Sequence, residues 1–168
     1  MAHDECFIHR ATSIIRSWFP KGITPEILSP ATYEKIGING TINMETGEVY
    51  SAITDIFNAY SFLDFVKNLI SYIPRGKKFV MILDNARPHR AKKVTSYVEQ
   101  NIYNLEFLFL PPYSPNLNPS ENLWKLLRKK AIHNVYFDSL ATLQSKIEDT
   151  LNEFSTPSID RINYCAVI

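Results

Sequence analysis

A chain of 168 residues with 45% apolar side chains can bury one substantial core, hiding roughly 70% of its unfolded surface, and its formal net charge of +1 does not by itself announce a nucleic-acid partner. No apolar run approaches the roughly 20 residues that cross a bilayer, and Met1-Ala2-His3-Asp4-Glu5 lacks the basic start and apolar middle of a signal peptide, so a cytoplasmic location is expected. Cys6 and Cys165 stand at opposite ends without a Cys-x-x-Cys pair, which argues against a disulfide framework or a structural zinc site. His3, Cys6 and His9 have zinc-ligand chemistry, but no second ligand pair follows at finger-like spacing.

In chain order, residues 37–44 and 49–54 predict an antiparallel hairpin around the turn Glu45-Thr46-Gly47-Glu48. Phe62, Phe65, Val66, Leu69, Ile70 and Ile73 recur at helical spacing, giving a helix over about 61–73 that Pro74-Arg75-Gly76 ends. Residues 78–83 are apolar on both faces, as a buried parallel strand in mid-sheet should be. Pro88 starts a helix to about Ile102 with Val94, Tyr97, Val98 and Ile102 turned inward, and residues 105–110 return as a strand. The loop 111–119 is stiffened by its prolines; a helix follows from Pro119 to about His133, and Asp138-Ser139-Leu140 caps another to about Phe154. The expected domain is 1–155, followed by a tail, 156–168; the N-terminus and the last dozen residues look loosely anchored.

This order describes a mixed α/β layer with right-handed crossovers, in which ligands gather at the carboxyl ends of strands, where Asp84 falls. Asp84 could instead cap the helix near Pro88, a role Asn85 fills equally well. Glu121 also has a local explanation. With Asn118 as N-cap and Pro119 at the first position it nearly completes a capping box, worth up to about 1 kcal/mol. Yet Glu121, Trp124, Lys125 and Arg128 share one helix face, where a carboxylate beside two cations could serve metal and phosphate together. Lys125 could equally pair with Glu121 for a few tenths of a kcal/mol. Residues 85–134 carry eight bases against only Glu99, Glu106 and Glu121, a phosphate-facing surface or a solvated face. Arg87, Lys125, Arg128 and Lys129 are the candidates for phosphate contact, which positions DNA without reading its sequence. His89 could bind phosphate or an acid of the site, or be a half-buried helix histidine; Trp124 could stack on a base but is more often core.

The blocks Asp4-Glu5, Trp18-Phe19-Pro20-Lys21-Gly22, Leu83-Asp84-Asn85 with His89, and Leu110-Pro111-Pro112-Tyr113-Ser114-Pro115-Asn116-Leu117-Asn118-Pro119-Ser120-Glu121-Asn122-Leu123-Trp124 resemble the DDE transposases of the mariner superfamily, especially its bacterial and archaeal insertion-sequence branch. The last block is highly specific, and the 37 positions from Asp84 to Glu121 are close to the family's usual spacing. The resemblance covers roughly Asp4 to Phe137 and implies a ribonuclease H-like fold, a mixed central sheet of hairpin and parallel strands flanked by helices. It implies that Asp4, Asp84 and Glu121 are the catalytic acids and metal ligands, holding Mg2+ or its substitute Mn2+, two ions together.

Hard cations prefer oxygen ligands, and two ions about 3.5 to 4 Å apart clamp both oxygens of an in-line phosphoryl displacement. The implied reaction is cleavage of a DNA phosphodiester and transfer of the 3′ end to target DNA, by a homodimer that pairs two transposon ends. Full-length members carry helix-turn-helix modules ahead of the catalytic domain, whereas only Met1-Ala2-His3 precede Asp4 here. Site-specific reading of transposon ends is therefore expected to be missing, and the first strand to lack most of its upstream half. Two other readings stand beside this one: a non-catalytic remnant that binds DNA or a partner subunit, and a ribonuclease H-like nuclease outside transposition.

Overall fold

The computed structural model describes residues 1–16, 18–23, 26–74, 76–112 and 114–166. Arg75 of the turn after the first helix, Tyr113 of the proline-rich loop, and Val167 and Ile168 of the expected tail lie outside the described residues. Five strands form one sheet: β1 (Ala2–His9), β2 (Lys35–Ile42), β3 (Val49–Thr54), β4 (Phe79–Leu83) and β5 (Leu105–Phe109), in the order β3-β2-β1-β4-β5. β3, β2 and β1 pair antiparallel, and β1, β4 and β5 parallel, so the mixed sheet is the one the sequence implied. The helices are α1 (Ala59–Ser71), α2 (Lys92–Gln100), α3 (Pro119–Ala131), α4 (Leu140–Phe154) and α5 (Ile159–Cys165), with 3-10 turns at Arg87–Arg90 and Pro115–Leu117.

Strand alternation divides β1 between two cores. Ala2, Cys6 and Ile8 join Ile36, Ile38 and Ile42 under Leu123, Trp124 and Leu127 of α3 and Leu143 and Ile147 of α4. On the other face, Phe62, Phe65, Val66 and Leu69 of α1 pack with Met81 and Leu83 of β4 and Val94 of α2. Helix starts follow local chemistry: Asn58 and Ser61 form a capping box for α1, and Ser139 and Thr142 one for α4. Gly40 lies opposite Asp4 across the β1–β2 pair, and a Cβ there would run into the Trp124 ring. Gly47 takes a positive φ of 76° in the hairpin turn.

Four expectations change. Residues 88–102 are not one helix: a 3-10 turn is followed by Ala91 in an extended conformation (ψ 136°), α2 ends at Gln100, and Ile102 is 53% exposed instead of facing inward. β4 is not buried on both faces, because α3 and α4 cover β1, β2 and β3 and leave Val80 42% exposed. The N-terminus is firmly held. β1 is the central strand, paired with β2 from Ala2 opposite Ile42 to His9 opposite Lys35, and the Met1 amino group donates to the Val80 carbonyl at 2.7 Å. The strand is therefore anchored on both sides of Asp4. Nor are residues 156–166 a loose tail. Buried Arg161 of α5 donates to the carbonyls of Gly47 (2.5 Å), Phe154 (2.8 Å) and Thr156 (2.8 Å), and Cys165 is fully buried.

Candidate active site

Three elements bring Asp4, Asp84 and Glu121 to one cleft of about 410 Å³, walled also by Asn85, Leu110, Pro112 and Asn118. Ala2 of β1 is level with Ile82 of β4; two residues further on, the parallel register sets Asp4 beside Asp84, just past the end of β4. Glu121 lies in the first turn of α3. Asn118 ties that turn to β1: its Nδ2 donates to the His3 carbonyl at 3.1 Å, while its Oδ1 accepts from the Ser120 amide at 3.2 Å. Trp124 Nε1 donates to Asp4 Oδ2 at 3.1 Å, and Asn85 Nδ2 donates to the Leu110 carbonyl at 2.6 Å, holding the ends of β4 and β5 together.

Burial raises the Asp4 pKa to about 6, and the nearby Asp84 and Glu121 carboxylates push the same way against hydrogen bonds from the Glu5 backbone and Trp124. Asp84 is half exposed and shifts down, chiefly through His89, whose Nδ1 is 2.8 Å from Asp84 Oδ1; the Ala86 amide also donates to that oxygen at 2.9 Å. His89 is buried, which alone would lower its pKa, yet Asp84 and Glu5 outweigh burial and lift it to about 9. Both contacts are close charge pairings, not aligned hydrogen bonds: the second, His89 Nε2 to Glu5 Oε1, spans 3.5 Å. Burial, with the neighbouring His89, drives the His3 pKa down to about 3.

Strand alternation separates Asp4 from its neighbour. Asp4 turns to the α3 face and Glu121, whereas Glu5 turns to the α1 face and meets His89. His89 thus lies against Asp84 and Glu5, and it is at the same time a buried histidine of the 3-10 turn, so two of its three alternatives meet in its position. Trp124 is core, at 3% exposure, and also a donor to Asp4. Glu121, Trp124, Lys125 and Arg128 do share a face, lining a second cleft of about 260 Å³ that also includes Asp4. Lys125 is exposed and donates to Asn122 at 2.9 Å, so its partner is not Glu121. Arg128 is half-buried, with Nη2 2.9 Å from Cys6 Sγ and 3.5 Å from the Phe7 carbonyl. Lys129 and Arg87 are exposed. The trio His3, Cys6 and His9 is split, since Cys6 faces Arg128 and His3 faces the opposite core. The sequence grouped His3 with Cys6 and His9 instead of with Glu5 and His89, and showed neither Glu5 as a partner of His89 nor Asn118 as a bridge; the alternation along β1 is the signal that separates His3 and Glu5 from Asp4.

A model of the DDE superfamily endonuclease family matches residues 1–144. The insertion element IS630 uncharacterized 39 kDa protein of Shigella sonnei is 26% identical over 152 residues, covering 90% of this chain and 44% of that protein. The uncharacterized protein y4pE/y4sA of Sinorhizobium fredii is 42% identical over 62 residues, covering 37% of this chain and 42% of that protein. The chain spans less than half the length of these curated relatives. Among solved structures, the Mos1 transposase paired-end complex with left transposon end superposes with a TM-score of 0.73 at 20% identity, covering 99% of this chain and 50% of that one. The catalytic domain of Mos1 mariner transposase gives 0.62 at 17% identity, covering 97% and 72%. The fold is therefore ribonuclease H-like.

Proposed function

This chain belongs to the DDE superfamily endonuclease family, and from that premise we propose that it is a transposase catalytic domain in which Asp4, Asp84 and Glu121 hold divalent metal to cut DNA and join the cut end to a target. The observation that carries the proposal is Asp4, a carboxyl from the central strand with two further acids across one cleft and a pKa raised to about 6. Buried acids that repel one another are stabilised by a shared cation. An all-oxygen donor set suits Mg2+, with Mn2+ as substitute, and the open cleft leaves room for two ions, water and phosphate oxygens. When bound, such a pair supplies charge stabilisation to the attacking and leaving oxygens of an in-line displacement.

The protein's own part is positioning. Trp124 fixes one oxygen of Asp4, and the Ala86 amide and His89 fix Oδ1 of Asp84. The Glu121 amide donates to the Asn118 carbonyl at 3.2 Å, but among the described residues its side chain enters no ion pair or hydrogen bond, so the carboxylate is free for the cleft. Lys125 and Arg128, which line the second cleft beside Asp4 and Glu121, hold backbone phosphates there, and the exposed Arg87 and Lys129 extend that contact beyond it. No covalent protein intermediate is required. Mos1 transposase, whose fold this chain shares, has been solved in paired-end complexes with Mn and with Mg and in a strand transfer complex. We extend to this chain the same classes of partner: transposon ends, target DNA and a second copy of itself, acting in the cytoplasm.

The test is nicking of plasmid DNA carrying transposon ends, with Mg2+ or Mn2+ added. Asp84→Ala should abolish the metal-dependent nicking while leaving the fold intact; retained nicking would sink the assignment. Degradation of RNA in hybrids without joining of a 3′ hydroxyl to DNA would replace transposition by a plain nuclease activity.

A further inference from the structure

The face of β1 turned away from Asp4 carries a second group of ligand-type side chains. His3 and Glu5 project from alternate positions of the strand toward α1, and the 3-10 turn at Arg87–Arg90 brings His89 to them. His3 is completely buried against the rings of Phe62 and Phe65, and neither of its ring nitrogens makes an aligned hydrogen bond, although the Gly40 backbone lies within reach. Glu5 Oε1 and both His89 nitrogens are also buried without an aligned hydrogen bond. Native interiors seldom leave such groups unsatisfied, and several in one place point to something that satisfies them together.

Ligand atoms of His3, Glu5 and His89 all lie within 4.8 Å of one another, and His89 Nε2 is 3.5 Å from Glu5 Oε1. A tetrahedral zinc site with bonds of about 2.0 to 2.2 Å has its ligand atoms roughly 3.3 to 3.6 Å apart, so the His89–Glu5 pair already fits and the widest pair must close by up to about 1.4 Å. The remaining nitrogen, His89 Nδ1, stands 2.8 Å from Asp84, where metal-bound histidines usually present their other N–H to a carboxylate. Two imidazoles and one carboxylate suit a borderline ion and not Mg2+, which prefers oxygen alone.

The geometry points to a second metal site, formed by His3, Glu5 and His89, that takes Zn2+ or a similar transition ion and is distinct from the three-acid cleft. Neither His3 nor Glu5 lines the 410 Å³ cleft. On binding, the ion replaces the proton on His89 Nε2, which leaves to solvent, while the proton on Nδ1 stays directed at Asp84. The bound ion thereby fixes the imidazole that orients one acid of the cleft. This goes beyond the nuclease reading, and its test involves no DNA.

The metal-stripped full chain should be dialysed against Zn2+ alone in the presence of excess Mg2+. Wild type and Glu121→Gln should each retain one zinc per chain, and His3→Leu should lose it by more than the roughly 10-fold seen when only an outer partner of a site is removed. Zinc-edge X-ray absorption on wild type should show two imidazole nitrogens at about 2.0 Å. If His3→Leu does not fold, the wild-type absorption spectrum decides alone. Failure of wild type to retain zinc, loss of zinc in Glu121→Gln with retention in His3→Leu, or an oxygen-only spectrum would overturn the site. Loss of nicking would leave the zinc result unchanged, so the two proposals fail separately.

Discussion

Asp4 sits in surroundings that favour its neutral form, and its stability contribution has a definite sign. The folded pKa of about 6 lies above the ordinary carboxyl value of 3.8, so between those values the folded protein binds more protons than the unfolded chain. Stability is therefore lost as pH rises through this window, by about 3 kcal/mol from this group in the metal-free protein. Urea unfolding between about pH 4 and pH 7 should show this decline as the difference between wild type and Asp4→Asn, because His3, kept neutral by burial down to about pH 3, adds the opposite slope to both proteins. An unchanged difference between the two proteins across the window would refute the assignment. Divalent metal should reverse the trend, since metal affinity rises as Asp4 ionises.

Trp124 offers a second test at this scale. Trp124→Phe keeps an aromatic ring against Gly40 but removes the donor to Asp4 Oδ2. A hydrogen bond to a charged group is worth about 1.5 to 3 kcal/mol, so Mn2+ affinity measured by calorimetry should fall at least roughly tenfold near neutral pH. Equal affinity would make Trp124 a packing residue only. Asp84 and Glu121 were legible in the sequence because a strand end and a helix start are recognisable locally. Their capping explanations divide: Asp84 does accept the Ala86 amide, whereas Asn118 caps α3 by bonding the Ser120 amide. The partners of His89 were not legible, because Glu5 is 84 positions earlier and the two meet only once β1 and β4 pair.

Elements with strong local signals formed where the sequence placed them. The hairpin has its turn at Gly47, and Ser139 caps α4. Elements whose limits depend on tertiary packing did not. Pro88 permits a helix start, but the extended Ala91 interrupts it and turns the His89 ring into the core. The seven residues of α5 are too few to show periodicity, and what holds them is Arg161 reaching the hairpin turn. Gly40→Ala tests the packing of α3 on β2. The added Cβ meets the Trp124 ring, which should cost about 1 to 3 kcal/mol in denaturant unfolding and weaken Mn2+ binding by displacing Trp124 from Asp4. Wild-type stability in this variant would show that α3 can shift freely, contrary to its tie through Asn118.

For the whole molecule, the strand order β3-β2-β1-β4-β5 is what makes one site from three distant acids. Periodicity supplied the strands but not their order, because each apolar face could pack on several neighbours; the motif resemblance implied only a ribonuclease H-like mixed sheet, and the superposed transposase structures share that fold. No helix among the described residues is long and apolar enough to cross a membrane. The chain matches the family model over residues 1–144, so both parallel pairings and the start of α3, which set the cleft, lie within the matched region. The central claim is that Asp4, Asp84 and Glu121 are joined by divalent metal. Anomalous diffraction from crystals soaked in Mn2+ measures this directly. A manganese peak coordinated by these three carboxylates is the predicted result; an empty cleft at saturating Mn2+, with no binding by calorimetry, would contradict it.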